Sequence, residues 1–334
     1  MTDPVDTDSW MYNVHIYPKN AVNNPGEKTV EDAGKLKVGD EITWTITGYI
    51  PNVDTLDGYR IVDPLDSRLT YSSTTVSLSN GTPLTLNTDY TVNTVPPSGA
   101  DGTRVTVDFT ADGRAKLVAN KTASVKVVIA TVINEVGDIP NQAIIYPNAA
   151  SFDIQPGEPG GPTPTPEPVV KYGNVTISKV SAADNNTKLA GATFQVYASE
   201  NDARDGVNPI EIGGVSTWTT NASGLVTISG LHQSGWVNNA PVSPGDPGYQ
   251  YYWIVETKAP TGYELLAEPV RVTVGDADSV VDFTVENSPA NGGFELPFTG
   301  SVLSAGLFYG AGTVLLAGTV LLAVRARRRS TQEA

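Results

Sequence analysis

Between residues 170 and 288 the chain reads VTISKV (175–180), ATFQVY (192–197), LVTISGL (225–231), YYWIVET (251–257), PVRVTV (269–274) and VVDFTV (280–285). The runs are short, rich in β-branched and aromatic residues, and separated by segments containing Gly, Pro, Asn or Asp. Such side chains suit a pleated, half-buried surface, and turn residues at these intervals mark antiparallel sandwiches. The pattern repeats upstream in EITWTITGYI (41–50), YRIVDPL (59–65), RVTVDF (104–109) and SVKVVIATVI (124–133). The expected fold is therefore all-β, with two tandem β-sandwich modules at residues 10–155 and 170–288. Strand order does not follow from the pattern.

Residues 156–168, PGEPGGPTPTPEP, divide the two modules. Proline at this density excludes helix and central strand, so residues 156–169 read as a linker. The 334 residues include no cysteine, which removes disulfides and thiolate metal sites, and the net charge of −15 disfavours nucleic-acid binding.

Residues 302–324 form an uncharged apolar run, followed by Arg325, Arg327, Arg328 and Arg329 in a basic tail at 325–334. As a helix this run reaches roughly 30 Å, enough to cross a bilayer core. The arginines hold its far end on the cytoplasmic side, so everything before residue 302 is expected outside the membrane. Residues 1–9, MTDPVDTDS, have neither the basic nor the apolar region of a signal peptide. They read as the interior of a longer precursor.

Strand alternation singles out three residues of the second module. Val175, Ile177 and Lys179 share one face, as do Tyr252, Ile254 and Glu256, and as do Val281, Phe283, Val285 and Asn287. A lysine, a carboxyl and an asparagine thus enter one small core. Burial is costly for a charge and drives both ionisable groups toward their neutral forms. One reading is a snorkelling lysine beside an ordinary hydrogen-bond network. The other is chemistry: a neutral amine is a nucleophile, a protonated carboxyl polarises an amide carbonyl, and attack with loss of ammonia leaves an amide cross-link.

The runs GNVTISKV, LAGATFQVY, YYWIVETKAPTGYEL and VVDFTVENS resemble the CnaB-type, SpaA-like domain of Gram-positive pilins and adhesins, with ETKAPTGYEL in the place of its E-box. The resemblance implies an isopeptide bond between Lys179 and Asn287, assisted by Glu256. In the first module VGDEITWTITGYI, YRIVDPLDSRLTY and IPNQAIIY resemble the isopeptide-forming middle domain of backbone pilins. This implies a triad of Lys28, Asp63 and Asn141. Parity favours Asp63 over Asp66, while Lys35 and Lys37 lie close to Lys28 in sequence.

Leu296-Pro297-Phe298-Thr299-Gly300, in a tether at 289–301, resembles the LPxTG sorting signal, with the apolar span and arginine tail in the usual order. The resemblance implies cleavage by sortase between Thr299 and Gly300 and transfer of the Thr299 carboxyl to an amine. Trp10 to Lys19, WMYNVHIYPK, resembles the pilin motif of shaft pilins, with Ile16 at a valine position, which makes Lys19 the implied polymerisation nucleophile. Expected partners are the pilin and housekeeping sortases, identical subunits and peptidoglycan, with minor pilins and host surfaces beyond them. A monomeric anchored adhesin shares everything except the Lys19 motif. The sequence, with two histidines and no cysteine, shows no zinc-protease pattern, nucleophile elbow or phosphate loop, so neither turnover nor a cofactor is expected.

Overall fold

Alternation in the sequence becomes alternation in burial. Glu41–Tyr49 exposes its ends and buries Ile42, Trp44 and Ile46 completely, each of which contributes roughly 1.5–3 kcal/mol. The computed structural model describes residues 26–98, 101–275 and 281–290.

The first module contains β1 (Glu27–Glu31), β2 (Glu41–Tyr49), β3 (Arg60–Pro64), β4 (Leu69–Leu78), β5 (Tyr90–Val95), β6 (Arg104–Phe109), β7 (Ser124–Ile133), β8 (Gly137–Pro140), β9 (Ile144–Tyr146) and β10 (Thr163–Pro164). One sheet runs β1-β2-β7-β4 and the other β10-β9-β3-β6-β5. Trp44, Ile61, Val107, Val127 and Ile129 belong to one core cluster drawn from both sheets. Trp44 keeps its polar atom satisfied by donating from Nε1 to Thr131 Oγ1 at 2.9 Å. A helix, α1 (Ala111–Ala119), is capped by Thr110, whose hydroxyl accepts from the Gly113 N–H.

The second module contains β11 (Val169–Ser181), β12 (Asp184–Lys188), β13 (Thr193–Tyr197), β14 (Trp218–Thr219), β15 (Leu225–His232), the hairpin β16 (Trp236–Val237) and β17 (Ala240–Pro241), β18 (Tyr252–Lys258), β19 (Val270–Val272) and β20 (Val281–Asn287). In one sheet β11 pairs with β12, β15 and β20, while the other runs β14-β13-β18-β19. Val175, Ile177, Phe194, Val196, Ile228 and Ile254 form the core between them. The short helix α2 (Glu200–Asp205) caps one end of β13 and closes on Gly206 in the left-handed conformation.

Two features determine how the site is placed. The first and last strands of the second module, β11 and β20, are parallel neighbours, paired from Val175↔Val281 to Ser181↔Asn287. Furthermore, β8 of the first module joins the second module's sheet, pairing with β11 from Val169↔Pro140 to Tyr172↔Gly137.

The segment expected as a linker is packed along the first module rather than free. Thr163 and Pro164 form an edge strand on β9, and Thr165 is buried with its hydroxyl accepting from the Ala143 N–H at 3.1 Å. Its prolines are tolerated because β10 lies at the sheet's edge.

A loop of the first module docks against β15 and the β16–β17 hairpin. The Val38 N–H donates to Gly230 O at 2.7 Å, and the His232 N–H donates to Leu36 O at 2.9 Å. Asn238 and Asn239 turn the hairpin with φ of 49° and 61°, as a two-residue hairpin of matching twist requires. Among the described residues no helix is long and apolar enough to cross a membrane. The apolar run at 302–324 lies outside them.

Candidate functional site

Each module gathers a lysine, a carboxyl and an asparagine in its interior. In the second module β11 carries Lys179, β18 carries Glu256 and β20 ends on Asn287, and all three are buried. The Asn287 amide donates to Glu256 Oε1 at 2.9 Å and Oε2 at 2.8 Å. Lys179 Nζ lies 4.0 Å from Glu256 Oε1 and donates to the Val285 carbonyl at 2.9 Å. Burial, opposed by the charges of Glu256 and Glu286, lowers the Lys179 pKa to about 8, which places a neutral amine within reach of mild pH.

Two backbone contacts complete this cluster. The Leu266 N–H donates to Glu256 Oε2 at 2.9 Å. Gly224 approaches the Lys179 strand with φ of +69°, and a Cβ there would sit 2.7 Å from the Lys179 carbonyl oxygen. Beyond Asn287, the Glu264 N–H donates to Ser288 O at 2.9 Å and the Ala290 N–H to Gly262 O at 2.8 Å. The loop after β18 therefore holds both the carboxyl and the end of the last strand.

In the first module Lys28 Nζ donates to both oxygens of Asp63 at 2.8 Å, and the Asn141 amide approaches Asp63 Oδ2 at 3.5 Å. Desolvation, opposed by Asp63, lowers the Lys28 pKa to about 8, and desolvation raises that of Asp63. The Trp44 ring lies 5.5 Å from the Lys28 ammonium. The sequence left the neighbouring lysines open and favoured Asp63 over Asp66 by parity, and the geometry separates both pairs. Lys37 pairs with Asp40 and Asp66 with Arg68, both partly exposed, whereas Lys28 and Asp63 meet inside.

Both asparagines leave the same atom without a partner: Asn141 Oδ1 and Asn287 Oδ1 are buried with no hydrogen bond. A buried acceptor left so costs about 1–3 kcal/mol. Half a turn of the amide would exchange its nitrogen and oxygen and direct Oδ1 at the carboxyl. A proton on that carboxyl then satisfies Oδ1 and draws electron density from the amide carbon. The arrangement can thus polarise an amide beside a lysine of lowered pKa.

The comparatively long loop between Glu256 and Leu266 hid the Leu266 contact from sequence reasoning. The Pro260-Thr-Gly262 turn within it was the available signal that the chain reverses there. Sequence reasoning also missed a further cluster, at the junction of the modules, built on the buried Asp32 and His232. Asp32 Oδ2 lies 3.1 Å from His232 Nε2, and Asp32 Oδ1 accepts from the Asn238 N–H at 2.6 Å. In return Asn238 Oδ1 accepts from the Asp32 N–H at 2.9 Å. Lys19 and Leu296, Pro297, Phe298, Thr299 and Gly300 lie outside the described residues.

Residues 173–289 match the SpaA family model, described as a prealbumin-like fold domain, and residues 23–149 match that of the Sgo0707 N2 domain. The chain is similar to fimbrial subunit type 1 of Actinomyces viscosus, with 36% identity over 342 residues, covering 90% of this chain and 63% of that protein. It therefore spans less than two thirds of that relative's length. Among solved structures it is similar to the fimbrial protein FimP of Actinomyces oris, at 34% identity and a TM-score of 0.68, covering 86% of this chain and 73% of that one. The full-length major pilin SpaD of Corynebacterium diphtheriae is similar at 26% identity and a TM-score of 0.63, over 79% of this chain and 67% of that one.

Proposed function

This chain belongs to the pilin family of fimbrial subunits, and from that premise we propose that it is a shaft subunit of a covalent surface pilus. Sortase cleaves between Thr299 and Gly300 and joins Thr299 of one subunit to Lys19 of the next. The apolar run at 302–324 retains the precursor in the membrane until that transfer, and a final transfer to peptidoglycan anchors the fibre. Within each subunit, Lys28 and Asn141 are joined in one isopeptide-forming module, and Lys179 and Asn287 in a CnaB-type module. Asp63 and Glu256 each act once, on their own chain, without turnover.

The observation that carries this reading is the paired occurrence of a buried lysine, carboxyl and asparagine, one set per module. In each, Nζ attacks the asparagine Cγ and forms the new amide bond. The Cγ–Nδ2 bond breaks, and the departing nitrogen takes the proton that Nζ gives up, relayed by the carboxyl. Amine and primary amide become secondary amide and ammonia. A covalent tie suits an exported chain without cysteine, since it occupies the structural role that disulfides fill elsewhere.

Cell-wall extract boiled in denaturant and immunoblotted, wild type against Lys19→Ala, tests the proposal. A high-molecular-weight ladder that collapses to monomer in the variant is the expected result. A single wall-linked band in both strains would replace the shaft subunit with a monomeric anchored adhesin.

A further inference from the structure

The cross-link proposed for the second module releases a molecule from a core that is closed to solvent. Lys179, Glu256 and Asn287 are all buried. If Lys179 enters as an ammonium, the balanced change is lysine ammonium plus asparagine amide giving secondary amide plus ammonium ion. One nitrogen and one positive charge must then leave for each bond made. Neither an ion nor a strongly hydrogen-bonding small molecule crosses packed apolar side chains readily. The site needs a way out.

A cleft of about 250 Å³ lies on one side of the cluster, between α2 and the returning loop that follows β18. Glu256 is part of its lining, together with Arg204, Leu265, Leu266, Ala267 and Glu268. A water molecule occupies about 30 Å³ in the liquid, so the cleft has room for several molecules the size of water or ammonia. Leu266 belongs to this lining and also donates its N–H to Glu256 Oε2 at 2.9 Å. It therefore ties the carboxyl to the wall of the cleft.

At the exposed end, Arg204 of α2 pairs with Glu268 across the cleft and with Glu200 on its own helix at 2.8 Å. The mouth thus carries two carboxylates and one guanidinium, a net negative rim suited to a departing cation. In the first module a cleft is lined by Pro64, Leu65 and Asp66 among others, and none of Lys28, Asp63 and Asn141 contributes to it.

We propose that the cleft between α2 and residues 265–269 is the port through which ammonia or ammonium leaves when Lys179 and Asn287 are joined, with Glu256 at its inner end. The proposal rests on the cross-linking reading of the second module. The first module's bond, which forms away from this cleft, serves as an internal clock.

The test follows bond formation in newly made full-length chain. Cell-free synthesis is stopped at intervals, and the cross-linked peptides of each module are quantified by mass spectrometry. Ala267→Trp places a large ring over an exposed part of the lining. The expected result is a Lys179–Asn287 bond slowed roughly tenfold relative to the Lys28–Asn141 bond. An unchanged ratio overturns the port. Should Ala267→Trp also lose the first-module bond, the sign of misfolding, Leu265→Trp on the same exposed wall decides by the same ratio. Absence of the Lys179–Asn287 bond in the unaltered chain overturns the cross-linking reading itself.

Discussion

Asn287 lies two residues beyond Val285, the parallel register partner of Lys179, on the same face of β20. In a parallel pair, side chains two apart point the same way, and a lysine is long enough to reach forward by that interval. The Val285 carbonyl accepts from Nζ at 2.9 Å and holds it close to Asn287. The first module uses a different arrangement. Asn141 follows the end of β8 rather than lying within a strand, and Lys28 contacts the carboxyl directly.

The two clusters share no residue, so their bonds are expected to form independently. Glu256→Ala should leave the chain one ammonia heavier than the mass calculated for that variant with both bonds formed, with the Lys28–Asn141 peptide still cross-linked. Asp63→Ala should do the converse. Intact mass combined with peptide mapping distinguishes the bonds, and full calculated mass in the unaltered chain would contradict both.

In a chain carrying Asn141→Ala the first bond has no electrophile, and Lys28 and Asp63 remain a buried ion pair. Adding Asp63→Leu then strands the lysine and should cost about 3–5 kcal/mol in chemical denaturation. Adding Lys28→Met as well should recover most of that loss, because the uncompensated charge is gone.

The same Asn141→Ala chain should show a specific pH dependence. Burial lowers the folded Lys28 pKa from its ordinary 10.5 to about 8, and that burial is expected to persist in the variant. A folded pKa below the unfolded one imposes its full penalty below about 8, and the penalty fades as pH rises to 10.5. Stability should therefore increase across that window by up to about 3 kcal/mol. The cross-linked chain, whose Lys28 no longer titrates, should lack this rise when followed by calorimetry.

At the module junction, Asn238→Gly keeps the left-handed backbone but removes the acceptor for the Asp32 and Ala33 N–H groups. Two lost partners of this kind should weaken the docking by about 1–3 kcal/mol. Limited proteolysis should then cut the 32–40 loop faster, while both cross-links still form. Equal cutting rates would show that the junction does not depend on Asn238.

Much of this was legible in sequence because alternation is a local property. Lys179, Glu256 and Asn287 are interior by parity alone, and parity also separates Asp63 from Asp66. Resemblance was needed to assign Lys28, since β1 is short and two other lysines follow it closely. The β8–β11 pairing was not legible, because pairing of edges between modules depends on how the modules meet. The Asp32, His232 and Asn238 cluster was hidden for the same reason. Its partners are some 200 residues apart and each is unremarkable in its own segment.

The adjacency of the second module's first and last strands has a topological consequence. Joining Lys179 to Asn287 turns the intervening chain into a closed ring with two tails, one leading back through β11 and the other leaving past Ala290. A protease that cuts once inside the ring opens it without separating the tails, so the chain stays in one covalent piece from end to end. A second cut inside the ring frees the segment between the cuts, yet the two tails stay joined through the bond. Every exposed turn between the two strands can thus sustain a first nick without severing whatever is attached at either end.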